Sequence, residues 1–266
     1  MELVKGHAYG NDFLLSPLPA ASPLDQTAHG SEAARVLCHR HHGAGADGLI
    51  LYRLGPQSAT MTLFNADGSR SELSGNGVRC LGALVVRAQG LTPGDIVTVA
   101  SDAGEIRLEL QAVDGARCTF RTYLGRPAGV RQMDLVAADE PVTATVLNMG
   151  NPQCVVLGPL PDPERFHRLG PALSTHASFP AGTNVEFAHV AAADRVDILI
   201  WERGVGPTSS SGTGTAASAV AAAAHGGAAR DLLVTAPGGT QRVEWHADGV
   251  YLTGWAELVL EGRWIR

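Results

Sequence analysis

A serine stands before Gly-x-Gly at two places in this chain: Ser74 ahead of Gly75-Asn76-Gly77, and Ser211 ahead of Gly212-Thr213-Gly214. Each motif opens a run with few charges, GNGVRCLGALVVRAQG and GTGTAASAVAAAAHGG, and each run ends in glycine sixteen residues after its serine. Runs of this length and composition predict buried helices, whose unpaired N-terminal amides hold anions. A small nucleophilic side chain beside such amides suits chemistry on the carbon next to a carboxylate. Two such ends, one from each half, imply a cleft between the halves. One group would remove an α-proton and another would return it from the far side, as a racemase requires. The side chains at 74 and 211 are therefore expected to confront each other across a single tetrahedral carbon.

A lone Gly-x-Gly before a helix is ordinarily a tight turn, and duplication is what reverses that reading. Nine residues before Ser74 lies Asn65, and nine before Ser211 lies Glu202. Twenty-seven before each lie Asp47 and Asn184, so three pairs share one offset of 137 residues. Gly10-Asn11 and Gly150-Asn151 add a fourth pair at an offset of 140. Four stations in register argue for a duplicated domain. The expected boundaries are 1–118 for the first half and 119–255 for the second, with a last strand at about 256–266 returning to the first. A bland reading accompanies each station. Asn11 and Asn151 suit turns, Asn184 suits a strand-end cap, and Glu202-Arg203 suits a surface ion pair.

Composition narrows the class. The 266 residues are 45% hydrophobic and 17% charged, enough for two filled cores. A net charge of −6 without any basic run argues against nucleic acid. The most apolar stretch, Ala216 to Ala224, is too short to span a bilayer, and Met1–Phe13 has no apolar signal core. Cys38, Cys80, Cys118 and Cys154 form no Cys-x-x-Cys pair, which predicts free thiols in a cytoplasmic protein and no zinc site. His39, His41 and His42 are read as a basic helix C-terminus rather than metal ligands.

The elements that must position these residues are legible as alternating apolar strands. NDFLLS, LILYRL, TMTLFN and the hairpin DIVTVASDAGEIRLEL fill the first half; TATVLNM, QCVVLG, VEFAHV, RVDILIWE and the closing run from Leu232 fill the second. SEAARVLCHRHH predicts a helix from Ser31 stopped by Gly43, and PDPERFHRLG a second short outer helix. A helix almost without charges needs cover on every side. The fold expected is therefore α+β, with two pseudo-symmetric domains, each a curved, mainly antiparallel, barrel-like sheet wrapped around a central helix. Arg79 and Arg87, the exceptions in the first central helix, are expected at its exposed ends or edge.

AYGNDFLL, GADGLI, FNADGSRSELSGNGVRC, NMGNPQCVVL, AGTNVEF and ERGVGPTSSSGTGTAASA together resemble the motif set of the diaminopimelate epimerase family, in that family's order. The resemblance runs from about residue 5 to residue 219. It implies epimerisation of L,L-diaminopimelate to the meso form by two-base proton transfer, in lysine and peptidoglycan biosynthesis, without pyridoxal phosphate or metal. It implies substrate contacts at Asn11, Asn65, Asn151 and Asn184, with Glu202 and Arg203 gripping charged groups of the substrate. Gly75, Asn76, Gly212 and Thr213 would hold carboxylate through helix amides. The family implies a homodimer as often as a monomer.

The departures bear on activity. The family's acid and base cysteines occupy the positions of Ser74 and Ser211. Gln153 stands where histidine is usual, and Gly48 where glutamine is frequent. A thiol ionises near neutral pH and an alcohol does not. The preferred reading is an epimerase whose two cysteines have been exchanged for serine, leaving it inactive or slowed, because both change alike and the other binding stations remain. The alternatives are a natural serine protein acting on another amino acid, an isomerase using Asp47 or Glu202 as base, and a non-catalytic amino-acid-binding protein.

Overall fold

The computed structural model describes residues 1–19 and 27–265, and the chain divides into two compact units. Arg266, the last residue of the expected returning strand, lies outside the described residues.

The first unit comprises Met1–Thr122 and Gly254–Arg266. Its strands are β1 (Glu2–Ala8), β2 (Asn11–Pro17), β3 (Gly48–Gly55), β4 (Ser58–Asn65), the short β5 (Arg70–Ser71), β6 (Ile96–Ser101), β7 (Gly104–Asp114) and β8 (Arg117–Tyr123). The segment from Gly254 in β17 (Val250–Arg263) joins them. Neighbours run β17, β1, β2, β3, β4, β6, β7, β8 and back to β17, a closed barrel of eight strands. All pairings given a register are antiparallel except β2–β3 and β4–β6. The central helix α2 (Gly75–Gln89) is buried continuously from Asn76 to Val86. Its Val78, Leu81 and Val85 pack against Phe13, Ile50, Leu108 and Phe120 of the surrounding strands. The outer helix α1 (Thr27–Cys38) covers the other face with Ala34 and Leu37 against Leu49 and Phe64.

The second unit, Tyr123–Thr253, repeats this order by itself. It uses β9 (Ala128–Ala137), β10 (Glu140–Asn148), β11 (Pro152–Leu157), β12 (Asn184–Ala192), β13 (Arg195–Glu202), the short β14 (Gly206–Thr208), β15 (Asp231–Ala236), β16 (Gly239–Trp245) and the start of β17. Its two parallel pairings, β11–β12 and β13–β15, fall where β2–β3 and β4–β6 fall in the first unit. The central helix α4 (Gly212–His225) is buried from Gly214 to Ala222. Alanine combines high helix propensity with a small side chain, so the sheet closes tightly on it. The outer helix α3 (Pro163–Ser174) buries Phe166, Leu169 and Leu173.

Several local expectations change. The outer helix of the first unit begins at Thr27, a turn before Ser31, because Gly30 lets it lie against Phe64; a Cβ there would approach the ring to 2.4 Å. It ends at Cys38, and Gly43 closes the following turn, where a Cβ would meet the Val36 and Leu37 carbonyls at 2.3 and 2.5 Å. Arg79 is not at an exposed edge: it is 2% exposed, because its side chain turns back along the first turn of α2, whereas Arg87 is exposed. His39 Nδ1 accepts the His41 and His42 amides, so this ring is tied into the turn.

Packing in the second unit gives a first test. A Cβ on Gly170 would lie 2.7 Å from two ring atoms of Trp201. Gly170→Ala is expected to lower stability by about 1–3 kcal/mol despite its better helix propensity. Urea unfolding followed by tryptophan fluorescence checks it; an unchanged or higher midpoint refutes the packing argument.

Candidate functional site

Ser74 and Ser211 are the N-caps of the two central helices, in nearly the same conformation: φ −134°, ψ 119° and φ −139°, ψ 123°. Each hydroxyl accepts the amide of the third helical residue, Gly77 at 3.2 Å and Gly214 at 3.3 Å. Serine is a preferred N-cap for this reason, and its own O–H remains available to donate. The preceding amides, Gly75-Asn76 and Gly212-Thr213, have no partner within their helices and carry the positive end of the helix dipole. No atom lies within 4 Å of a Cβ built on Gly75, so packing does not demand glycine there.

In the first unit Asn11, Asp47 and Asn76 are joined directly. Asn11 donates through Nδ2 to Asp47 at 2.8 Å, and its Oδ1 accepts from Asn76 Nδ2 at 3.2 Å. Arg79 then donates to Asn76 Oδ1, which fixes the amide orientation along the whole row. Gly10 adopts φ +87°, so the turn uses the glycine, and Asn11 serves through its side chain rather than its backbone. Asp47 is held by Arg40, which also pairs with Asp12 at 2.8 Å, while Lys5 reaches Asp12 at 3.0 Å. Burial alone would raise the Asp12 carboxyl, but its hydrogen bonds from Arg40 and Lys5 outweigh that and hold it at about 2. Asn65, at the end of β4, pairs across from Gly48 and donates to Ser69 Oγ at 2.9 Å. At Gly48 a Cβ would come within 2.9 Å of the Phe64 carbonyl, which accounts for glycine there.

In the second unit Gly150 takes φ +91° and Asn151 accepts from buried Gln153. Gln153 lies across from Asn184 in the β11–β12 pairing. Asn184 Oδ1 accepts the Arg203 amide at 2.9 Å, and Arg203 Nη1 donates to the Ala181 carbonyl at 2.7 Å. Glu202 accepts from Thr208 at 3.1 Å and from the Ser211 hydroxyl. Burial raises the Glu202 carboxyl above its ordinary value, against the lowering effect of those two hydrogen bonds. Thr213 is half-buried in the first turn of α4. Sequence reasoning had not singled out Glu186, fully buried on β12, with neither carboxylate oxygen partnered among the described residues. Its Oε1 lies 2.5 Å from where a Cβ of Gly214 would be, directly under the first turn of α4. Burial, and then Glu202, push its carboxyl well above the usual range. The signal was present: a glutamate inside the apolar run of β12.

Among the described residues no three His, Cys, Asp or Glu side chains are grouped to hold a metal. All four cysteines are buried and unpaired. Burial pushes the thiols of Cys38, Cys80 and Cys154 up to about 12 and Cys118 to about 11, so none is placed to substitute as base. Among the described residues no helix is long and apolar enough to cross a membrane.

A family model described as diaminopimelate epimerase matches residues 3–128 and 145–259. A diaminopimelate epimerase from Desulforudis audaxviator is 42% identical over the whole of both chains. One from Desulfitobacterium hafniense is 36% identical over 98% of this chain and 97% of its own. Among solved structures, a hydroxyproline epimerase from Agrobacterium vitis with bound trans-4-hydroxy-L-proline shares the fold with a TM-score of 0.70 at 15% identity, over 98% of this chain and 91% of its own.

Proposed function

We infer, since the chain belongs to the diaminopimelate epimerase family, that it takes diaminopimelate as substrate and is built for epimerisation at an α-carbon without pyridoxal phosphate. The observation that carries this reading is the matched pair of helix N-caps, Ser74 and Ser211, each a hydroxyl beside amides that have no partner within their helices. The amides of Gly75-Asn76 and Gly212-Thr213 take carboxylate oxygen. Asn11, Asn65, Asn151 and Asn184 offer hydrogen bonds to the substrate, while Glu202 and Arg203 meet its ammonium and carboxylate. When the α-C–H bond breaks, its electron pair spreads into the neighbouring carboxylate, and the amides stabilise the charge that develops there. One half takes the proton and the other supplies one.

Serine limits this chemistry. Each helix end lowers a hydroxyl's proton affinity by only about 0.3–2 kcal/mol, far short of what separates an alcohol from a thiol. The chain as written is therefore a slowed or inactive epimerase that retains binding. It acts in the cytoplasm on a free amino acid, with no nucleic-acid or membrane partner, as a monomer or homodimer. A second reading, an amino-acid-binding protein, draws on the Glu202–Ser211 contact, which leaves that serine committed as a donor.

Titration calorimetry with L,L- and meso-diaminopimelate, ornithine, histidine and proline tests the substrate. Diaminopimelate is expected to bind tightest, and Arg203→Met to weaken it about tenfold or more, equivalent to about 1.4 kcal/mol. Tighter binding of proline or histidine overturns the assignment.

A further inference from the structure

The first unit buries a cation that no carboxylate among the described residues neutralises. Arg79 is 2% exposed, donates to Asn76 Oδ1, and lies over the Tyr9 ring at 5.8 Å from its centroid. Taking a charge out of water is costly, and a neutral side chain of similar length would serve packing alone. Both contacts of Arg79 lead to Asn11. Through Asn76 the path is direct, since Asn76 Nδ2 donates to Asn11 Oδ1 at 3.2 Å and Asn11 Nδ2 donates to Asp47 at 2.8 Å. Through Tyr9 it runs along the backbone, because Tyr9 precedes the Gly10-Asn11 turn. Tyr9 has φ +56°, a conformation a bulky residue keeps only when its surroundings hold it. Trp255 donates its amide to the Tyr9 hydroxyl at 3.1 Å and sets its ring 4.4 Å from the Tyr9 ring.

A guanidinium only donates and a carboxylate only accepts. Arg79 stands at one end of this row and Asp47, tied to Arg40 at 2.7 Å, at the other. Each amide between them therefore has a single orientation that satisfies both of its neighbours. One hydrogen on each Nδ2 is used within the row and one is left. Asn76 is 5% exposed and Asn11 half-buried, so Asn11 is where the row can meet a ligand. We propose that Arg79 is a positioning residue for substrate binding: through Asn76 and the Tyr9-Gly10-Asn11 turn it holds the Asn11 amide in one orientation, with an N–H left to donate to an oxygen of the bound amino acid. Arg79 itself touches no substrate in this scheme. Without its guanidinium the Asn76 amide can turn over, and Asn11 loses the donor that fixes its oxygen. The proposal rests on the reading that places Asn11 at the substrate.

The test uses the full chain, first without ligand. In 15N-labelled protein, Arg79→Met is expected to shift or broaden the side-chain NH2 resonances of Asn11 and Asn76, while backbone resonances of the second unit stay in place. Arg79→Lys, whose ammonium also donates, restores them. Calorimetry with diaminopimelate then reads the consequence: Arg79→Met and Asn76→Ala each weaken binding about tenfold. The two combined lose no more than either alone, because one acts through the other. Arg87→Met, at the exposed far end of the same helix, changes neither readout. Asn11 resonances that ignore Arg79→Met, or that Arg79→Lys fails to restore, overturn the proposal, and so do losses of affinity that add. Should Arg79→Met not fold, Asn76→Ala decides in its place, and an Asn11 NH2 pair unmoved by it overturns the proposal. A chain that does not bind diaminopimelate defeats the epimerase reading instead, and the ligand-free resonances still show whether Arg79 sets the row.

Discussion

Ser74→Cys combined with Ser211→Cys turns this chain into an enzyme that exchanges the α-hydrogen of diaminopimelate with deuterated buffer and interconverts its L,L and meso forms. The gain over the unmodified chain is about 10²–10⁴-fold, the usual worth of a properly matched acid–base group. The change is small in space: both positions are N-caps whose side-chain atom faces the first turn of a buried helix. It is large in chemistry, because a thiol of pKa about 8.5, lowered further by helix amides, is partly ionised at working pH. Each single substitution restores one proton-transfer group only. Single variants are therefore expected to exchange hydrogen in one configuration without inverting it. Loss of the α-proton signal by NMR, with chiral analysis of the product, reads both effects. A doubly substituted chain that binds diaminopimelate at saturation yet shows no exchange would falsify the epimerase reading.

Glu186→Gln raises stability at neutral and alkaline pH and leaves it almost unchanged near pH 4. Burial and then Glu202 raise the Glu186 carboxyl well above 4.5. The native state therefore keeps a proton that the unfolded chain releases above about pH 4.5. Glu186's contribution is fully present below that pH and is lost as pH rises toward its native value, at about 1.4 kcal/mol per pH unit for one proton. Glutamine has the same shape and no proton to lose, so the variant's stability should be flatter in pH, with an advantage that grows as pH rises above the ordinary carboxylate range. Denaturant midpoints at pH 4.5, 6 and 8 decide it. Parallel curves for the two proteins mean that Glu186 does not carry a raised pKa. Asp12, held at about 2 by Arg40 and Lys5, works in the opposite sense, since its contribution is present above its ordinary value and lost in acid.

What the sequence determined by itself follows from local physics. The period-two runs specify β2, β3, β4, β6, β7, β12 and β13; the charge-poor runs after Ser74 and Ser211 specify helices that must be enclosed; the constant offset specifies two units of one topology. It did not yield β8 and β9. Arg117 and Arg121 interrupt the apolar signal in β8, and β9 is mostly exposed, held by its pairing with β10 rather than by side-chain pattern. The asparagines and serines were legible because chemistry restricts residue type at fixed spacing. Tertiary structure alone decided the charges around them. Whether Arg79 lies in water or under Asn76, and whether Glu186 faces solvent or the underside of α4, depends on which face of an element the closed sheet covers. Desolvation is a property of that enclosure, and no spacing in a linear chain encodes it.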